Sequence, residues 1–85
     1  MSKEINSLDT DELYKMIGKN VARLRHEAKL SQLELSYAIG NSSPSLFSAA
    51  ELYKNKRKFN IAQLHKIAKI LDIDICEFFN TDNKK

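Results

Sequence analysis

Two stretches concentrate the side chains that could do chemistry: serines at 42, 43, 45 and 48, and a cationic run at Lys54, Lys56, Arg57 and Lys58. A serine nucleophile needs a general base and a group that orients that base. His26 and His65 are the only histidines, they fall on separate helical segments, and neither has a carboxylate or second partner at a suggestive spacing. No paired acid–base or metal constellation is present, so neither catalytic nor metal-binding residues are assigned, no cofactor is implied, and the chain is not read as an enzyme. Cys76 is the single cysteine, which excludes an internal disulfide and any cysteine-based metal spacing. It falls in the first turn of a short helical segment, where a lowered thiol pKa could make it a redox switch; a small core residue is the plainer reading. The cations are a different matter, because mobile Lys and Arg in a loop suit contact with backbone phosphate.

The charge distribution agrees with an anionic partner. The net charge is +3, yet residues 1–12 set Lys3 against Glu4, Asp9, Asp11 and Glu12, a local −3 that leaves +6 for the rest. A basic body fits nucleic acid, although solubility alone would also account for it. No apolar run approaches the ~20 residues that cross a bilayer, and the opening MSKEINSLDTDE lacks the apolar core of a signal peptide. A soluble cytoplasmic protein without membrane contact is the expectation.

The elements that must position these residues are helices. Gly (2) and Pro (1) are scarce, which favours helix over strand or disorder. Asp9 with Glu12, Ser31 with Glu34, Asn60 with Gln63 and Asp74 with Glu77 have capping-box spacing. Leu8 with Leu13, Leu30 with Leu35 and Phe59 with Leu64 have the spacing of a hydrophobic staple. The pattern predicts a first helix over about 10–28, with Leu13, Ile17, Val21, Leu24 and Ala28 as its apolar stripe. A second runs over about 32–39, with Leu35, Ala38 and Ile39 inward and Gly40 ending it. A third starts with Ser43 as N-cap and Pro44 at the first helical position, and runs to Glu51 or Tyr53 with Phe47, Ala50 and Leu46 toward the core. A fourth covers about 61–71 and buries Leu64, Ile67, Ala68 and Leu71; a fifth covers about 75–79. This is an all-α fold with one domain at 9–80, a tail at 1–8 and another at 81–85.

The helix pair at about 31–53 is short, with a glycine in its turn, the arrangement of a helix-turn-helix. The stretch IGKNVARLRHEAKLSQLELSYAIG resembles the opening of Cro-type, or XRE-family, helix-turn-helix repressors, through Ile17-Gly18, Leu24-Arg25, Leu30-Ser31-Gln32, Leu35 and Gly40 in order. NIAQLHKIAKILDIDICEFF is similar to the last two helices of that family. The resemblance covers about residues 16–79 and implies a compact five-helix, lambda-repressor-like DNA-binding domain. It implies a transcription regulator, a repressor in the first instance, that binds double-stranded DNA as a homodimer and is able to touch RNA polymerase. Gln32 and Ser42 would contact phosphate, as would Lys54, Lys56, Arg57 and Lys58. Asn41, Ser43, Pro44, Ser45, and Ser48 or Ala49 would read bases. The turn and third helix are one residue longer than the family pattern, whose Ile-Glu pair falls here on Ala50-Glu51, so the choice between Ser48 and Ala49 stays open.

That third helix offers no Arg, Gln or Asn, the long groups that read guanine and adenine most sharply. Direct readout is therefore expected to be limited and supplemented by DNA shape. Leu71, Ile73, Ile75, Phe78 and Phe79 offer apolar surface for a two-fold dimer; alternatively both phenylalanines fold inward and the protein is monomeric. Arg23, Arg25 and Lys29 read as ordinary helix surface, with phosphate contact the alternative; Tyr37 reads as packing before a DNA-backbone contact, and Tyr53 as either a DNA-backbone contact or the rim of the core. Controller proteins of restriction–modification systems, small phage repressors and some antitoxins have similar length. The competing reading is a protein-interaction module or antitoxin-like partner with weak or no DNA binding, which the absence of any cation from the third helix favours.

Overall fold

The caps govern where the chain turns. In the computed structural model, which describes residues 7–40 and 43–80, four α-helices form: α1 (Ser7–Glu27), α2 (Gln32–Ala38), α3 (Pro44–Leu52) and α4 (Ile61–Leu71). A single 3-10 turn, Lys54–Lys56, interrupts the basic loop, and the expected fifth helix is a 3-10 segment, Ile75–Phe79. No strand occurs among the described residues. None of the helices is long and apolar enough to cross a membrane.

Two capping boxes close in both directions. Ser31 Oγ accepts from the Glu34 N–H at 3.0 Å while Glu34 Oε1 accepts from the Ser31 N–H at 2.8 Å. Asn60 and Gln63 exchange the same pair of bonds at 2.7 and 2.9 Å. Each such cap is worth ~1 kcal/mol. Ser43 caps α3 by accepting from Leu46 N–H, with Pro44 at the first helical position. The other two expected caps are placed differently. α1 begins at Ser7, inside the stretch read as a tail, so Asp9 sits in its first turn rather than at its cap. Asp74 Oδ1 accepts from Cys76 N–H, two residues on, and Glu77 instead accepts from the Asn80 side chain. The tighter turn this sets is what gives a 3-10 segment in place of an α-helix.

The core is one cluster from all four α-helices and the C-terminal segment: Ile17, Val21, Leu35, Ile39, Phe47, Ala50, Phe59, Leu64, Ile67, Ala68 and Phe78. Phe47 and Phe59 meet edge to face at 5.1 Å, a favoured aromatic geometry. Leu13, Ala28, Ala38 and Leu46, expected inward, are exposed. On α2 the residue facing inward beside Leu35 is Ser36, fully buried, whose small side chain suits a tightly packed site.

α1 packs mainly against α3 and the C-terminal segment. Gly18 makes the first contact possible: a Cβ there would collide with the Glu51 carbonyl oxygen and lie 2.9 Å from that of Ala50. Asn20 makes the second, its Nδ2 donating to the backbone oxygens of Phe78 at 2.8 Å and Asn80 at 3.0 Å. Phe78 is thereby held in the core at 0% exposure. It has no surface to offer a second copy, which corrects its assignment to a pairing face: the inward alternative holds for Phe78 but not for Phe79, which is exposed.

Candidate nucleic-acid interface

α3 presents two opposite faces. Phe47, Ala50 and Glu51 are buried, and at 3.6 residues per turn the opposite side carries Ser45, Ser48, Ala49 and Leu52. Ser45 and Leu52 are exposed, Leu52 at 68%, and Ser48 and Ala49 are half-buried. Ser48 and Ala49 thus share the outer face. Ser43 and Pro44 are half-buried at the helix start, where Ser43 Oγ caps the helix and lies 3.3 Å from Ser45 Oγ. Asn41 and Ser42 lie outside the described residues. Leu52 escaped the sequence reading, although its helical spacing from Ser45 and Ser48 would have placed it on the same face.

Behind that face lies a buried ion pair. Arg25 Nε donates to Glu51 Oε2 at 2.8 Å and Arg25 Nη2 to Glu51 Oε1 at 3.1 Å, with the side chains only 6% and 3% exposed. Arg25 Nη1 donates to the Leu30 carbonyl at 2.9 Å, and Gln32 Nε2 to Glu51 Oε1 at 2.7 Å. The network joins α1, the turn after it, α2 and α3. Every buried side-chain polar atom among the described residues has a partner. Arg25 is therefore not ordinary helix surface. Gln32 spends one amide hydrogen on Glu51, leaving the other for a phosphate. Sequence held a faint signal for this pair, since Glu51 is the one charged residue of α3.

The basic loop leaves α3 through a left-handed turn. Tyr53 (φ 56°), Asn55 (φ 54°) and Lys56 (φ 59°) all have positive φ, a region that costs a non-glycine residue about 1–2 kcal/mol. Contacts to α1 offset this. Tyr53 stacks on Tyr14, with ring centroids 5.7 Å apart and planes 15° from parallel. Its hydroxyl donates to Asp11 Oδ1 at 2.7 Å. Lys56 Nζ lies 3.6 Å from Asp11 Oδ2. Lys58 Nζ sits 5.0 Å from the Tyr14 ring centroid and 5.9 Å from that of Tyr53, and donates to the Lys56 carbonyl at 3.2 Å. The hydrogen bond from Tyr53, with Lys56 and Lys15 nearby, holds the Asp11 carboxyl below its usual value. The same bond, with burial and the charge of Asp11, pushes the Tyr53 phenol up to about 12.

Lys54, Lys56, Arg57 and Lys58 are all exposed. Arg57 and Lys58 border an open groove of about 450 Å³ beside α3, which Gly40, Leu46, Asn60, Gln63 and Lys66 also line. Lys66, a cation on α4 that the sequence reading did not single out, extends the basic surface along this groove.

The remaining candidates disperse. Tyr37 is 61% exposed, not packed. His26 and His65 are exposed, and among the described residues no three His, Cys, Asp or Glu side chains converge. Cys76 is exposed, not a core residue. Its hydrogen bond with Asp74 and the charges of Asp74 and Glu77 push the thiol up, opposite to what an activated cysteine needs. Leu71, Ile73 and Ile75 are half-buried. The chain matches no protein-family model and no curated protein.

Proposed function

We propose that the protein is a sequence-specific double-stranded DNA-binding protein of the Cro-type helix-turn-helix kind, acting as a transcription regulator and in the first instance a repressor. The observation that carries this reading is the adjacency of two surfaces on one element. α3 turns an uncharged outer face of Ser45, Ser48, Ala49 and Leu52 outward, and its C-terminus leads straight into the exposed cations of the 54–58 loop. A helix of this size fits the major groove, where hydroxyls can pair with several bases and apolar groups can meet the thymine methyl. Cations of the loop, together with the second Gln32 amide hydrogen, would set position and affinity on the phosphates.

One such unit spans few base pairs, so the reading includes a homodimer on two half-sites about one helical turn apart. Leu71, Ile73, Ile75 and Phe79 are the residues proposed for its pairing surface, and RNA polymerase is a further proposed partner at the promoter. The test is selection from a randomised duplex library at two salt concentrations. A two-fold symmetric motif, with log affinity falling by roughly 0.9 per neutralised phosphate for each log unit of salt, supports the proposal. Weak binding without a motif at either salt refutes it and favours a protein-interaction module.

A further inference from the structure

The four loop cations are alike in the sequence and unlike in the fold. Lys56 faces Asp11, and Lys58 Nζ is held over the Tyr14 and Tyr53 rings and bonded to the Lys56 carbonyl. Lys54 and Arg57 make no side-chain hydrogen bond or ion pair with any described residue, though both are exposed. Asp11 and Tyr14 belong to α1, outside the helix-turn-helix, whereas Tyr53 ends α3. Tyr53 is tied to Asp11 across 42 positions of sequence.

We infer that Asp11, Tyr14 and Tyr53 form a clamp that divides the basic loop, retaining Lys56 and Lys58 against α1 and presenting Lys54 and Arg57 to phosphate. This rests on the DNA-binding reading. The division follows from what each ammonium or guanidinium would give up. Lys58 Nζ would have to leave two aromatic faces and a carbonyl to reach a phosphate, and Lys56 a carboxylate; Lys54 and Arg57 leave only water. The clamp also pre-orders the left-handed turn, so the loop need not be fixed at the moment of binding. Asp11, Tyr14 and Tyr53 are thus positioning residues for the phosphate contacts, acting through the loop and not on the DNA.

Affinity for a selected duplex, measured by fluorescence anisotropy across a salt series, separates the two classes of cation. Lys54→Met and Arg57→Met should each lower the salt slope by about 0.9. Lys58→Met and the charge-neutral Tyr53→Phe should leave the slope unchanged while weakening binding roughly two- to ten-fold, the cost of ordering freed side chains. A slope lowered by about 0.9 in Lys58→Met, or unaltered affinity in Tyr53→Phe, would overturn the inference.

A second measurement needs no DNA. In the free protein the Lys58 side-chain protons next to Nζ should be shifted upfield by the two rings, and Tyr14→Leu should remove that shift. Its absence from the unmodified protein would overturn the clamp on its own. If the unmodified chain shows no salt-dependent duplex binding, the DNA reading falls and with it the roles of Lys54 and Arg57, while the proton shifts still decide whether the clamp exists.

Discussion

Replacing Glu51 with alanine should remove a large share of the protein's stability. The substitution strands the Arg25 guanidinium, whose side chain is 6% exposed, and removes the acceptor of the Gln32 amide. Breaking a buried pair by deleting one partner costs ~3–5 kcal/mol, because the remaining charge is neither solvated nor paired. At ~0.05–0.15 kcal/mol per residue, a chain of this length has roughly 4–13 kcal/mol in total. The loss is therefore a third or more of the stability over most of that range. In urea, with a slope of ~1–3 kcal/mol per molar, the midpoint should fall by about 1 M at the least. Circular dichroism at 222 nm across a urea series measures it. The double variant Arg25→Met/Glu51→Leu removes both charges and fills the site with apolar groups, which is often neutral or stabilising. Gln32 is half-buried and can turn to water. The double variant should then be more stable than Glu51→Ala by ~2 kcal/mol or more. A loss below about 1 kcal/mol in Glu51→Ala would mean that the pair behaves as a surface bridge, and the account of how α1 and α3 are joined would be wrong.

Two further predictions concern titration. Asp11 is depressed on folding, so its contribution is complete above the ordinary carboxyl value of 3.8 and is lost as pH falls through the lower folded value. Tyr53 is raised, so its contribution is complete below 10.0 and is lost as pH rises through about 12. Absorbance at 295 nm, followed with ellipticity, should show a late phenolate component that Tyr53→Phe removes; removal of a component near 10 instead would disprove the hydrogen bond. Cys76, exposed but held protonated by Asp74, should react with iodoacetamide at neutral pH no faster than a free thiol, and Asp74→Asn should speed it; a fast unmodified thiol contradicts this reading.

What sequence made legible was local. α4 spans the expected residues because its cap, staple and apolar period all lie within residues 59–71. The start of α3 follows from Ser43 and Pro44 in the same way. The limits of local rules appear at Tyr53. A left-handed helix end normally selects glycine, and here a tyrosine takes that conformation because a ring and a carboxylate from α1 receive it. Nothing near Tyr53 in sequence announces those partners. Arg25 and Glu51, 26 positions apart, illustrate the same limit: only the crossing of α1 and α3 makes them a pair. The outer face of α3 was half legible. The helical period puts Ser45, Ser48, Ala49 and Leu52 on one side, but Leu52 is apolar, and hydrophobicity alone sends it inward.

The absent side chain at Gly18 bears on mechanics. With the α1 backbone resting on the carbonyls of Ala50 and Glu51, no compressible layer separates the two helices. α3 cannot tilt to follow an imperfect groove without carrying α1 with it. A close-packed interior transmits displacement instead of absorbing it. On the proposed function, the compliance needed for a close fit would then have to come from the duplex, and sites whose base steps bend or twist at low energy would be preferred even where no side chain touches them.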